Sequence, residues 1–147
     1  MSLDNLVKTH QLQPYTPTPD AVRRLLAAAR RNLADAKAQS ISDETRFDAA
    51  YKAIMQCALV ALAANGYRPA TSTPGHHQTM IQTLPLTLGV QRETWLVLDA
   101  LRKKRNVNDY SGDLLEPDSL RECIAQADKL FATTTAWLKA NRPDLQD

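Results

Sequence analysis

Between Ser42 and Gly66 the chain spells a helix that is apolar almost all round. Ser42 offers an N-cap hydroxyl, and Asp43 and Glu44 follow in the first turn, where negative charge meets the positive end of the helix dipole. Phe47, Tyr51, Ile54, Ala58, Ala61 and Leu62 recur at helical spacing, and the later half, MQCALVALAANG, has hardly a polar side. Asn65 and Gly66 close it, because glycine after a helix adopts the left-handed conformation cheaply. A helix with no wet face must be central: other helices surround it, or a partner chain covers what they leave. Met55–Ala64 is therefore the stretch expected to form part of a subunit interface.

The remaining segments supply the surrounding helices. Ser2 caps a short helix running to about His10, and QLQPYTPTP reads as an extended lead-in, so residues 1–17 form an N-terminal extension. Thr18, Pro19 and Asp20 make a helix start, followed by a stripe of Val22, Leu25, Leu26, Ala29, Leu33 and Ala36. After the polar connection YRPATSTPGHH, a short apolar helix is expected to end near Leu84, where Pro85 interrupts it. A fourth helix should run from about Gln91 to Asn106 or slightly beyond. A fifth opens at Glu116–Pro117, with Ser119 and Glu122 at capping-box spacing, and its stripe of Leu120, Ile124, Ala127, Leu130, Phe131, Thr134 and Leu138 ends before Arg142–Pro143. Four glycines and 5% aromatics are too few for a sandwich or barrel. The expected architecture is all-α, an up-and-down bundle of about four to five helices in one domain spanning residues 1–147.

Charge and cysteine usage narrow the classes of function. Eighteen basic residues against sixteen acidic ones leave a net charge of +2, too small for a general nucleic-acid footprint, so polyanion contact would be local. No basic leader followed by an apolar stretch opens the chain, and no run reads as a bilayer span, so no membrane role is expected. Cys57 and Cys123 sit in apolar helical stretches without a CxxC partner, which points to a reduced, cytoplasmic protein. Gly-rich phosphate loops, cysteine clusters, HExxH and GxSxG are absent from the sequence, and adjacent His76 and His77 cannot both face one metal, so neither metal nor cofactor is expected.

One tract breaks the pattern. In LDALRKKRNVNDY, residues 98–110, Leu98 marks the inner face of the fourth helix. Stepping 100° per residue places Thr94, Leu101, Arg102, Arg105 and Asp109 within about 40° of that line, with Lys103 and Lys104 turned away. Two arginines and an aspartate thus continue a stripe where leucines belong, and a guanidinium facing inward is costly unless paired or used. A structural account is available: Arg105 and Asp109 are four residues apart and can pair, and Arg102 and Asn106 can serve terminal carbonyls. Basic-before-acidic is the weaker order, however, and Asp109 would lie at the negative end of the dipole.

The tract LRKKRNVNDY, following a long central helix and a loop ending GHH before a short apolar helix, resembles the HEPN domain family (higher eukaryotes and prokaryotes nucleotide-binding). The resemblance spans helices two to five, and its specific part is the helix-four tract. It implies an up-and-down bundle that dimerises, with the polar end of this helix lining a cleft. Many members are metal-independent endoribonucleases acting as toxins or defence effectors; others bind nucleotides, RNA or a partner antitoxin without catalysis. The ribonuclease motif is Arg, four to six residues, then His. Arg105–Asn106 matches its start, but Tyr110 stands where the His belongs. Phenol has a reference pKa of about 10 against about 6.5 for imidazole, which makes it a poor base at neutral pH.

The expected site is therefore a polar cleft in a homodimer. Arg105 would bind nucleotide or RNA phosphate with its planar fork, with Arg102 beside it in the same site; Asn106 would fix the ligand or Arg105, Asp109 would orient an arginine, and Tyr110 would donate to the anion. His77, at the start of the third helix, is the histidine that could enter the same cleft. The enzymatic rival is an endoribonuclease using Arg105 with Tyr110 or His77; the other rival is a non-catalytic scaffold for a partner protein. A cognate nucleotidyltransferase antitoxin is the partner that the resemblance implies. Arg23, Arg24, Arg30 and Arg31 read as a solvated helix face, or as a phosphate-contacting strip together with Lys103 and Lys104.

Overall fold

A computed structural model describes residues 1–72, 74–112 and 115–146, the side chains of residues 108–111 excepted. It is mostly helical, with α1 (Leu3–Lys8), α2 (Pro19–Ala36), α3 (Asp43–Ala64), α4 (His76–Gln82), α5 (Leu84–Thr87), α6 (Arg92–Ser111) and α7 (Pro117–Asn141), then a 3-10 turn at Pro143–Leu145. The caps stand where their side-chain chemistry predicts. Ser2, Thr18 and Ser42 each accept a hydrogen bond from the backbone N–H three residues on, at Asn5, Ala21 and Thr45.

The central position of α3 follows from its composition: fourteen of its side chains are buried, from Phe47 to Ala64. Contacts at the helix ends give the neighbours' directions. Arg46, near the start of α3, donates from Nε to the Ala36 carbonyl that closes α2 (2.9 Å). The C-terminal part of α6 also lies at the start of α3, with Arg105 beside Asp48. α7 runs alongside α3 in the same sense, with Cys123 next to Phe47 and Arg142 donating to the Ala64 carbonyl at 2.7 Å. The four long helices thus alternate in direction, as an up-and-down bundle requires. The main core gathers Leu33, Ile54, Leu62, Ile81, Leu98 and Leu130, and a second cluster joins Val22, Leu26, Val60, Leu138 and Leu145.

Five expectations need correction. The extended lead-in is β1 (Leu12–Pro14), which pairs antiparallel with β2 (Tyr67–Pro69) in a two-stranded sheet, so the fold is not purely helical. These strands are three residues long and end in proline, which leaves no alternation to read. Pro85 does not end helical structure; it lies in the first turn of α5, where a missing N–H costs nothing. Ser119 is no cap, because α7 already begins at Pro117, and its buried hydroxyl accepts a hydrogen bond from Lys104 Nζ at 2.7 Å. Met55–Ala64 is largely covered by this chain's own helices, with Cys57, Val60, Ala61 and Leu62 fully enclosed, so it is not a subunit surface. Finally, α3 is long and apolar enough to cross a membrane, but 78% of its apolar window is buried within the fold.

Both cysteines are buried free thiols. Burial pushes each up to about 12, away from the reactive thiolate range. One apolar stripe remains outside: Leu96, Ala100 and Val107 are exposed on the outer face of α6, interleaved with exposed Glu93 and Lys103.

Candidate functional site

Three helices and the start of a fourth enclose a cleft of about 540 Å³. Its walls carry Ala28, Arg31, Asn32 and Asp35 from α2, and Tyr51, Lys52, Met55 and Gln56 from α3. His77 of α4 and Arg105 of α6 close one end. Each residue arrives by helical periodicity. Tyr51 and Met55 are one turn apart on α3, as are Lys52 and Gln56, while Arg31 and Asp35 are one turn apart on α2. Three cationic side chains, Arg31, Lys52 and Arg105, stand with the carboxylates of Asp35 on the wall and of Asp48 against Arg105, which leaves a small excess of positive charge toward an anion.

Arg105 is held rather than splayed. Its guanidinium carbon lies 4.9 Å from the centre of the Tyr51 ring, and Nε lies 3.5 Å from Asp48 Oδ1. The aromatic face and the carboxylate hold the guanidinium, and the side chain as a whole is 29% exposed. Tyr51 also reaches the histidine: its hydroxyl lies 3.3 Å from His77 Nδ1. Burial pushes the Tyr51 phenol up to about 12, against the pull of Arg105 and Arg102, so it stays protonated. Burial, then the neighbouring His76, Arg105 and Arg102, hold the His77 imidazole below its ordinary 6.5. In the neutral tautomer with a bare Nδ1 the imidazole accepts the Tyr51 O–H there and can donate from Nε2; in the other, Nδ1–H donates to the Tyr51 oxygen and Nε2 is free to accept.

Of the six residues singled out in the sequence, the fold brings Arg105 and His77 together on this cleft. Arg102 faces inward as the periodicity requires, but its Nε donates to Asp99 Oδ1 at 2.8 Å, and neither it nor the exposed Asn106 is among the described lining residues. The carboxylate that orients Arg102 is thus Asp99, which is buried, one turn before it. Its position three residues ahead of an inward arginine was the available signal. The side chains of Asp109 and Tyr110 lie outside the described residues. Tyr51, Lys52, Asn32 and Gln56 were missed, since no periodicity tells which helix faces which.

The arginines of α2 do not assemble into one strip. Arg23 and Arg24 pair with Asp20, and Arg30 packs over Phe131 at 5.3 Å. Only Arg31 of the four joins the described lining of the cleft. No group of three metal-ligating side chains is found among the described residues. The chain matches no family model, no curated protein and no solved structure.

Proposed function

We propose that this chain is a HEPN-like helical protein that binds the phosphate of a nucleotide or RNA in the cleft between α2, α3 and α6. In this reading it is a cytoplasmic homodimer within a toxin–antitoxin or defence module, with a nucleotidyltransferase as its cognate antitoxin. The alternating helices and the LRKKRN tract on α6 support the family reading. The observation that carries the binding function is Arg105, its guanidinium braced by Tyr51 and Asp48 on a cleft it shares with Arg31 and Lys52. A planar fork held in place loses little freedom on meeting a phosphate, and such charge-assisted bonds are the strong ones.

Titrating a labelled single-stranded RNA against the wild type and Arg105→Ala tests this. A charge-assisted hydrogen bond contributes about 1.5–3 kcal/mol, so the variant is expected to bind roughly ten- to hundredfold more weakly. Equal affinity would remove the cleft from the account.

A second reading, the metal-independent endoribonuclease, is favoured by His77 standing beside Arg105. For that chemistry His77 must expose an unprotonated nitrogen to take the 2′-hydroxyl proton as the oxygen attacks phosphorus, while Arg105 stabilises the charged phosphorane. The Tyr51 hydroxyl at Nδ1 fits both tautomers: where it donates, Nε2 offers a proton to a bound anion, and where it accepts, Nε2 is the free base that this chemistry needs. Incubation with total RNA separates the two readings: cleavage by the wild type that His77→Ala abolishes would put the enzyme first.

A further inference from the structure

The cleft is not uniform. Its Arg105 end carries a guanidinium, but Gln56 lies five residues past Tyr51 on α3, about 7.5 Å along the helix axis, and there the walls carry amides and apolar groups beside Arg31. There Asn32 of α2 donates from Nδ2 to Gln56 Oε1 of α3 at 2.9 Å. That bond uses one donor and one acceptor of the pair. Asn32 Oδ1 and the Gln56 Nε2 amide have no other partner among the described residues. Ala28 and Met55 add apolar surface to the same walls.

A tie between two helices needs only the bond itself. Here the tie stands on the wall of an open cleft and keeps an acceptor and a donor in reserve, bridged so that neither amide turns freely. Side-by-side acceptor and donor groups above an apolar surface are what the edge of a nucleobase requires. An advance of that size along the helix is comparable to the reach of a nucleoside 5′-phosphate from its phosphorus to the hydrogen-bonding edge of its base. We infer that Asn32 and Gln56 form a base-reading subsite, so that the cleft takes a nucleoside 5′-phosphate unit with its phosphate at Arg105 and its base at the amide pair. This rests on the phosphate-binding reading above and adds the base to it. Adenine and cytosine each present an amino donor beside a ring-nitrogen acceptor, so the pair serves both alike; what it distinguishes is a ligand with a base from one without.

Calorimetric titration of the full chain with inorganic phosphate, ribose 5-phosphate, AMP and CMP tests the subsite. AMP and CMP are expected to bind at least about tenfold more tightly than ribose 5-phosphate, the size of one good polar pair. Gln56→Met and Asn32→Ala, placed on different helices, should each erase that difference and leave ribose 5-phosphate affinity unchanged. Arg105→Ala should weaken all ligands. If the wild type binds AMP, CMP and ribose 5-phosphate equally, or if the advantage of the base survives in both amide variants, the subsite is wrong while the phosphate site stands. If no ligand binds, or Arg105→Ala changes nothing, the phosphate reading falls and the subsite with it. A trinucleotide competing better than AMP would identify RNA as the source of the unit, and one competing worse would identify the free nucleotide; both results keep the base at the amide pair.

Discussion

At Tyr51 a single ring touches both partners of the proposed site, its face toward Arg105 and its hydroxyl toward His77. That arrangement ties the charge state of His77 to the stability of the fold. Because burial and the cationic neighbours lower the His77 pKa in the folded chain, the unfolded chain binds more protons just below pH 6.5. The stabilisation from neutral His77 is complete above that value and drains away as pH falls through 6.5 toward the folded pKa. Denaturant melts at pH 7.5 and 5.5 should therefore show the wild type losing more stability on acidification than His77→Gln. A bound phosphate favours the charged imidazole, so saturating phosphate should shrink the wild-type loss. Equal losses in the wild type and the variant would show that His77 titrates as freely folded as unfolded.

At the scale of elements, what the sequence disclosed depended on how local the determining physics was. The caps at Ser2, Thr18 and Ser42 act within three residues and could be read directly. So could the stripe of α7, and the inward turn of Arg102 and Arg105, which periodicity alone fixes on one helix. The sheet could not, since each strand exists only through a partner more than fifty residues away. The cleft suffers from the same limit: Arg31, Asn32, Lys52 and Gln56 look like ordinary surface residues until α2 lies against α3. Gly66 sits where the two regimes meet. Its φ of +93° ends α3, and its carbonyl accepts the Tyr15 N–H at 2.9 Å, extending the β1–β2 pairing. An added Cβ would meet only the Tyr15 carbonyl at 3.9 Å, an ordinary contact, so the cost of Gly66→Ala lies in the backbone angle. It is expected to lower stability by about 1–2 kcal/mol, read as a shift in denaturant midpoint with unchanged slope. A neutral result would mean that the turn can relax without breaking the pairing.

For the whole molecule, the proposed homodimer needs a surface other than Met55–Ala64, which the chain uses for its own core. The outer face of α6 offers one. Glu93, Leu96, Ala100, Lys103 and Val107 follow one another at spacings of three and four, which makes a seam along one side of the helix. All five are exposed, Leu96 at 44% and Val107 at 60%. The order of charges makes the seam complementary to itself when two copies cross antiparallel. Glu93 then meets the partner's Lys103, Leu96 meets the partner's Ala100, and the two-fold axis repeats both contacts. Lys103 already leans toward Asp99 at 3.6 Å while remaining 68% exposed, so a second carboxylate can share it. Leu96→Glu would set an acid opposite the partner's Ala100 and beside its own Glu93. Because Leu96 is not part of the core, the substitution should leave the thermal melt of the monomer nearly unchanged and convert a dimer to a monomer in sedimentation equilibrium. Charge reversal at both ends, Glu93→Lys with Lys103→Glu, should preserve the dimer, whereas either reversal alone should weaken it. A wild type that sediments as a monomer at high concentration, or a dimer indifferent to Leu96→Glu, would rule this seam out as the subunit contact.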